Sequence, residues 1–355
     1  MSGGRITLDG REVEFSQGET IYQVARRQEK EIPTLCYDDR LEAFGACRLC
    51  VVQVEGQRNP VASCTTPAAD GMVIHTSNES LEKHRKTLLE LVVSENREVD
   101  VDPMRGLASQ ELANLVRRYE AHDGRFQGRQ SGTSFQEDHN PFILRDYDLC
   151  ISCYRCVRVC AEQEGDYAIS VANRGFETQI TTEFGHMLKD SDCTFCGQCV
   201  QTCPTGALAD KKALRHQDKP GPTDTTRTIC AYCGVGCSVD LVTRENQIVG
   251  VRPAMDGPAN RGALCVKGQF AYDFVGHPER LTAPLVRDNG SLREATWDEA
   301  LERAAQGFRE TEKAHGRKAI YAIASGRTPS EACYLMGKFV RAGYGTHQVD
   351  NCSRA

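Results

Sequence analysis

Long apolar runs are missing from this chain. Its longest purely aliphatic stretch, about Leu91–Val93, has Glu90 before it and Glu95 close behind. No segment approaches the roughly 20 apolar residues that a bilayer-crossing helix needs. Dense blocks of lysine or arginine are missing too, which argues against a nucleic-acid or anionic-membrane surface. The N-terminus lacks an apolar signal core, and Arg26-Arg27 falls too late, in too polar a setting, for twin-arginine export. These absences lead to the expectation of a cytoplasmic chain without a membrane span. Charge is ordinary, with 26% charged residues and a net charge of −6. The length of 355 residues leaves room for two or three domains.

Cysteine is what the chain has in excess, 18 in all. Disulfides form poorly in a reducing compartment, and nine bridges would be odd on a chain of this length. Sixteen of the 18 fall into four tight groups, and thiolates at two- and three-residue spacings bind metal.

Cys150, Cys153, Cys156 and Cys160 are spaced C-x2-C-x2-C-x3-C, and Cys193, Cys196, Cys199 and Cys203 repeat that spacing, with Pro204 after the last. Three cysteines at x2 spacing wrap a tight loop around three irons of a cubane. In the bacterial two-cluster pattern the fourth ligand comes from the other motif. One [4Fe-4S] cluster is therefore expected on Cys150, Cys153, Cys156 and Cys203, the other on Cys193, Cys196, Cys199 and Cys160. The competing reading is a pair of structural zinc sites, which usually join two C-x2-C knuckles instead. Cys36, Cys47, Cys50 and Cys64 are spaced C-x10-C-x2-C-x13-C. The inner C-x2-C agrees with plant-type [2Fe-2S] ferredoxins, whose first gap is only x4; zinc is again the alternative. Cys230, Cys233, Cys237 and Cys265, in "CAYCGVGC" and "GALCVKG", offer four thiolates for a third cubane or a zinc ion, and Gly234 and Gly236 let the backbone fold close. Cys333 reads as a small core residue in a helix.

Periodicity organises the rest. Residues 1–78 read as a β-rich domain: "ITLDGREVEF" alternates around Asp9-Gly10, a hairpin dipeptide, and "RLCVVQVEGQRNPVASC" turns near Glu55-Gly56. "ETIYQVARRQE" has helical period, as do residues 79–120. Polar stretches at 122–140 and 216–226 read as linkers. "KAIYAIASGR" reads as a buried strand and "EACYLMGKFVRAGYG" as a helix ending in glycine.

Taken together, these motifs resemble the N-terminal part of the catalytic subunit of a molybdenum- or tungsten-dependent formate dehydrogenase that carries an electron-input module like that of respiratory NADH dehydrogenase. The x10/x2/x13 domain and paired cubanes match that module. "CAYCGVGC…RGALCVKGQFAYDFVGHPERLTAPLVR" and "ATWDEAL" match the start of the bis-pterin oxidoreductase domain. The resemblance implies an α+β multidomain chain. It would comprise a β-grasp [2Fe-2S] ferredoxin domain at 1–78, a helical segment and linker at 79–140, and a bacterial-type 2[4Fe-4S] module at 141–215. A [4Fe-4S] domain at 227–283 and the incomplete α/β start of a molybdopterin oxidoreductase domain at 284–355 would follow. It also implies that Lys267 lies between the Cys230 cubane and a pterin and aids electron passage, and that the full-length protein holds a Mo- or W-bis(molybdopterin guanine dinucleotide). The implied reaction is formate oxidation to CO2, or the reverse. The implied partner docks near residues 1–78: a flavin- and NAD-binding subunit, a ferredoxin or a hydrogenase module.

One departure stands out. Related subunits carry a His-x3-Cys-x2-Cys-x5-Cys cluster after the [2Fe-2S] domain, whereas here Asn96, Asp100, Pro103 and Ser109 occupy those spacings. That cluster is expected to be absent, which favours one [2Fe-2S] and three [4Fe-4S] clusters over a complex-I-like set. The terminal "VDNCSRA" resembles the family motif just before the cysteine or selenocysteine metal ligand. On that alignment Cys352 is structural, codon 356 is expected to be UGA read as selenocysteine, and the 355 residues alone carry electrons without oxidising formate. The alternative class is a non-catalytic iron–sulfur carrier subunit of a complex-I-like NADH dehydrogenase. An iron-only hydrogenase is disfavoured because the 230–265 group has the wrong pattern.

Overall fold

A computed structural model describes residues 2–96, 107, 109–121, 124–128, 139–216 and 222–351. They form two compact units, one of residues 1–222 with 263–266, the other of 223–262 with 267–355. Among the described residues no helix is long and apolar enough to cross a membrane.

The first unit opens with an antiparallel hairpin of β1 (Ser2–Leu8) and β2 (Arg11–Ser16). It turns on Asp9 (φ +49°) and Gly10 (φ +82°), the two positive angles that a two-residue hairpin turn requires. Helix α1 (Ile21–Arg27) starts at Thr20, whose hydroxyl and the Gln23 side chain form a reciprocal capping box. Its buried Ile21, Val24 and Ala25 share one face at i, i+3, i+4 and join Ile6, Leu8, Val13 and Phe15 in a core. Strands β3 (Val51–Val54), β4 (Val61–Ala62) and β5 (Val73–His75) complete a sheet ordered β2-β1-β5-β3-β4, with β1 and β5 parallel.

Two helices follow, α2 (Glu79–Ser94), capped by Asn78, and α3 (Glu111–Tyr119). Leu89, Val93, Leu112 and Val116 from these helices share a second core with Leu35 and Leu49 of the ferredoxin-like domain. Next come β6 (Ile143–Arg145), α4 (Arg155–Val159), β7 (Ile169–Ala172), β8 (Gln179–Thr182), α5 (Gln198–Thr202), β9 (Leu208–Asp210) and α6 (Lys211–Leu214). Strand β6 pairs with β9 and β7 with β8, both antiparallel. The two cysteine motifs thus lie on opposite arms of a pseudo-repeat closed by β6 and β9.

The second unit begins with a three-stranded antiparallel meander, β10 (Asp224–Ile229), β11 (Ser238–Arg244) and β12 (Gln247–Pro253). Helix α7 (Val266–Phe270), which belongs to this unit from Lys267 onward, follows, then the hairpin of β13 (Leu285–Asp288) and β14 (Ser291–Glu294). Helix α8 (Trp297–His315) is capped by the Thr296 hydroxyl and has no buried residue, with Trp297 70% and Leu301 60% exposed. Strand β15 (Ala322–Ala324), helix α9 (Ser330–Lys338) and β16 (Val349–Asn351) end the described chain, β15 and β16 pairing in parallel. The segment expected to be a buried strand is buried at Ile320 and Ala322 but exposed at Tyr321 and Ile323. A two-stranded ribbon covers only one face, so burial alternates with the pleat. Cys333 sits in α9 as expected but is only half-buried, its Sγ 3.2 Å from the Thr328 hydroxyl.

Candidate metal centres

The first set hangs from the ferredoxin-like sheet. Cys50 immediately precedes β3 and Cys64 follows β4, and this antiparallel pair brings their sulfurs to 3.3 Å. The Ser63 hydroxyl donates to the Cys50 carbonyl at 2.6 Å and fixes the turn between them. The Cys47 amide donates to Cys36 Sγ at 3.4 Å, and the Leu35 amide donates to Cys47 Sγ at 3.4 Å. The Cys47 thiol, outweighing burial and joined by backbone amides, draws the Cys36 thiol down to about 6. The Cys64 thiol, again against burial, draws Cys50 down to about 7. Cys47 and Cys64 are pushed up correspondingly, because each shares its proton with its neighbour and is then buried. Four cysteine sulfurs in two neighbouring pairs, one member of each pair acidified by the other, are the donor chemistry an iron–sulfur cluster takes up, releasing their protons.

Arg85 of α2 supports this set from behind. Its Nε donates to the Leu49 carbonyl at 3.2 Å, and its Nη2 donates to the carbonyls of Val51 and Thr76 at 2.8 Å each. Leu49 and Val51 flank Cys50.

The two cubane motifs fold identically where it matters. The residue before the second cysteine is left-handed in both copies, Ser152 (φ +51°) and Phe195 (φ +55°). So is the residue after it, Tyr154 (φ +61°) and Gly197 (φ +79°). Two such kinks close the loop tightly, and the same amide in each copy points at the first sulfur: Ser152 to Cys150 at 3.5 Å, Phe195 to Cys193 at 3.4 Å. Helices α4 and α5 begin directly afterwards and carry Cys156 and Cys199.

The fourth cysteine crosses over. An apolar cavity is lined by Cys150, Cys153, Cys156 and Cys203, together with Tyr147 and Leu208. Burial, then the neighbouring Cys203, pushes the Cys153 thiol far up; burial also lifts Cys150 to about 11. Cys199 is raised by burial and then by Cys196, Cys193 and Cys160, and Cys196 is lifted to about 12. The structure therefore brings Cys203 to the three cysteines of the earlier motif, and four sulfurs around an apolar hollow fit a cluster that would take them up as thiolates. Among the described residues no three His, Cys, Asp or Glu side chains close on one point as a single-ion site does.

In the second unit the Cys230 amide donates to the Cys237 carbonyl at 2.8 Å, closing the loop that holds Cys233. Gly234 permits a close approach, since a Cβ there would lie 3.0 Å from the Gly326 carbonyl oxygen, and Gly236 is left-handed at φ +73°. Cys265 lies in the segment 263–266, which belongs to the first unit. Lys267 lines a cavity of about 270 Å3 that also takes in Cys230, Tyr232, Tyr272, Phe274 and Arg280. Asp100, Pro103 and Cys352 lie outside the described residues, whereas Asn96 is buried and the Ser109 hydroxyl donates to Glu111 at 3.0 Å.

Four family matches tile most of the chain. Residues 5–79 match a 2Fe-2S iron-sulfur cluster binding domain, and 140–209 match the ferredoxin-like domain of NADH-quinone oxidoreductase subunit 3. Residues 223–277 match the molybdopterin oxidoreductase Fe4S4 domain and 280–355 match molybdopterin oxidoreductase. The chain is 33% identical over 351 residues to an NADH-quinone oxidoreductase subunit of Rhizobium meliloti, covering 99% of this chain and 40% of that protein. It is 32% identical to the NADPH-Fe(3+) oxidoreductase subunit alpha of Geobacter sulfurreducens, covering 98% of this chain and 40% of that one. It is 28% identical to a Staphylococcus aureus protein whose description proposes a formate dehydrogenase, covering 98% of this chain and 39% of the relative. A solved chain of an NAD+-reducing [NiFe]-hydrogenase superposes with a TM-score of 0.53 at 28% identity, covering 59% of this chain and 87% of that one. The chain spans about two fifths of the length of these curated relatives. It combines a 2Fe-2S ferredoxin domain and 4Fe-4S ferredoxin-like domains with the N-terminal region of a molybdopterin oxidoreductase, and is homologous to an NADH-quinone oxidoreductase subunit, the NADPH-Fe(3+) oxidoreductase alpha subunit and proteins described as formate dehydrogenases.

Proposed function

We propose that this chain is the iron–sulfur electron-transfer portion of a molybdopterin-dependent oxidoreductase, and that formate is the substrate of the whole protein. The observation that carries the reading is the apolar cavity that Cys203 lines together with Cys150, Cys153 and Cys156 of the earlier motif. When bound, the clusters supply one-electron chemistry over a range of potentials. The protein's part is to hold thiolates, bury them and aim amides at sulfur. Cys36, Cys47, Cys50 and Cys64 would hold one [2Fe-2S] cluster. The sets Cys150/Cys153/Cys156/Cys203, Cys193/Cys196/Cys199/Cys160 and Cys230/Cys233/Cys237/Cys265 would hold three [4Fe-4S] clusters. Lys267, sharing a cavity with Cys230, would place a cation beside an anionic pterin and favour electron passage there. An electron-acceptor subunit with flavin and NAD, a ferredoxin or a hydrogenase module would meet the [2Fe-2S] end.

A second reading has its own support: the 33% and 32% relatives are named for NADH-quinone and NADPH-Fe(3+) oxidoreductases. On that reading the chain serves as an electron carrier in an NAD(P)H-linked complex and formate is no substrate. One experiment separates the two. Full-length protein, purified anaerobically, is analysed for molybdenum and tungsten and mixed with formate while the clusters are followed by EPR. Metal present and clusters reduced by formate supports the first reading. Iron and sulfide alone, with clusters reduced only by NADH or NADPH through a partner, supports the second.

A further inference from the structure

The ten residues between Cys36 and Cys47 are six more than a plant-type ferredoxin has in that gap. They do not simply bulge into solvent. Asp38 accepts from the Thr202 hydroxyl at 2.6 Å and from Arg40 Nη2 at 2.8 Å, with the Asp38 and Arg40 side chains buried, 5% and 9% exposed. Arg40 also donates to Gln198 Oε1 at 3.3 Å, and its carbonyl accepts from Gln163 at 2.5 Å. The Glu42 amide donates to Glu162 at 3.0 Å, and the Glu42 carbonyl accepts from Arg158. Phe44 packs edge-on to Tyr154 at 5.9 Å, with the Arg158 guanidinium over its ring.

Apart from the Arg40–Asp38 pair within the loop, every one of these partners lies between 154 and 202, in the two segments that carry cubane cysteines. Arg155 returns the grip from the other side. Its Nε donates to the Thr202 hydroxyl at 3.0 Å, and its Nη1 donates to Glu111 at 2.7 Å and reaches the Leu35 carbonyl at 3.5 Å. Leu35 neighbours Cys36, Thr202 precedes Cys203, and Arg155 stands between Cys153 and Cys156. The apolar contacts agree: Cys47 and Ile151, the latter between Cys150 and Cys153, pack on the same core of Leu35 and Leu49.

We propose that residues 37–46 and Arg155 form an inter-cluster clamp that fixes the separation between the [2Fe-2S] set and the Cys150/Cys153/Cys156/Cys203 set. Asp38, Arg40 and Arg155 are positioning residues in this account. A buried, mutually satisfied network has one geometry, so it sets a separation more strictly than an apolar contact could. The inference rests on the proposed function, because it presumes that clusters fill both sets.

The test uses anaerobically purified, cluster-loaded full chain. In reduced wild-type protein, the [2Fe-2S] EPR signal should relax fast through its neighbour. That enhancement should disappear in Cys203→Ser and persist in Cys160→Ser. The double variant Arg40→Gln/Phe44→Ala should keep its iron, its sulfide and each centre's own g values while the relaxation enhancement weakens. Phe44→Ala alone, at a ring already 49% exposed, should move it in the same direction. Unchanged enhancement in clamp variants that retain all clusters would overturn the clamp, as would enhancement that survives Cys203→Ser. Wild-type protein without iron or sulfide would overturn the functional reading beneath it instead.

Discussion

Arg85 to methionine is the most direct perturbation of the ferredoxin-like domain that leaves every cysteine in place. The methionine keeps an apolar stem of similar reach, so the helix packing of α2 is largely retained. The guanidinium head disappears, and with it the donors to the carbonyls of Leu49, Val51 and Thr76. The Arg85 side chain is only 2% exposed, so water does not replace those donors. Its ion pair with Glu82 contributes little by comparison, because that carboxylate is 39% exposed. Hydrogen bonds from a charged donor contribute roughly 1.5–3 kcal/mol each, and each buried carbonyl left without its donor costs about 1–3 kcal/mol. With three carbonyls affected, a loss of about 3–5 kcal/mol is expected, read as a lowered denaturation midpoint with the visible absorbance of the [2Fe-2S] centre as reporter. Arg85→Lys, with one compact ammonium in place of a fork, should fall between. A change below about 1 kcal/mol in Arg85→Met would refute the claim that this buried fork holds the strands around Cys50.

The cysteine crossing gives a second prediction: Cys203→Ser should abolish the cluster of the earlier motif and Cys160→Ser that of the later one, as resolved by Mössbauer and EPR spectra. Loss of the sequence-adjacent cluster in either variant would mean the sets are wrongly paired. Asp210 gives a third. Burial lifts its carboxyl to about 6, against the amide donors of Lys212 and Ala213. The folded chain thus prefers the protonated form, so this contribution is fully present below about 3.8 and is lost as pH rises through 6, amounting to roughly 3 kcal/mol across the window. Asp210→Asn should flatten the pH 4–6 slope of stability and stabilise the protein at pH 7; a slope identical to wild type would count against it. A fourth concerns Lys267→Met in the full-length protein, which should slow turnover while leaving iron content and the EPR signal of the Cys230 set unchanged. Equal turnover would remove Lys267 from the electron path.

Cysteine spacing made the candidate centres legible because ligand loops are local. Three sulfurs at x2 spacing must wrap a small object, whatever surrounds them, and the hairpin at Asp9-Gly10 and the capped start of α1 are equally local statements. What the spacing could not reveal is the support behind the ligands. Arg85, Arg155 and Asp38 act over separations of 34, 47 and 164 residues, and nothing in their neighbourhoods marks them. The only trace was the long gap between Cys36 and Cys47, which reads as a departure from a known pattern until Thr202 and Gln198 are found against it. The strand at β15 failed differently. Its apolar run implied burial on both faces, but a strand's second face is buried only when another layer lies on it, and none of the described residues supplies one for Tyr321 and Ile323.

The central claim is that sixteen sulfurs are held by iron in one small and three larger clusters. Iron and acid-labile sulfide, counted per chain in anaerobically purified protein, test it most directly. About 14 of each are predicted, with zinc near zero. Zinc at about four per chain, without labile sulfide, would contradict it.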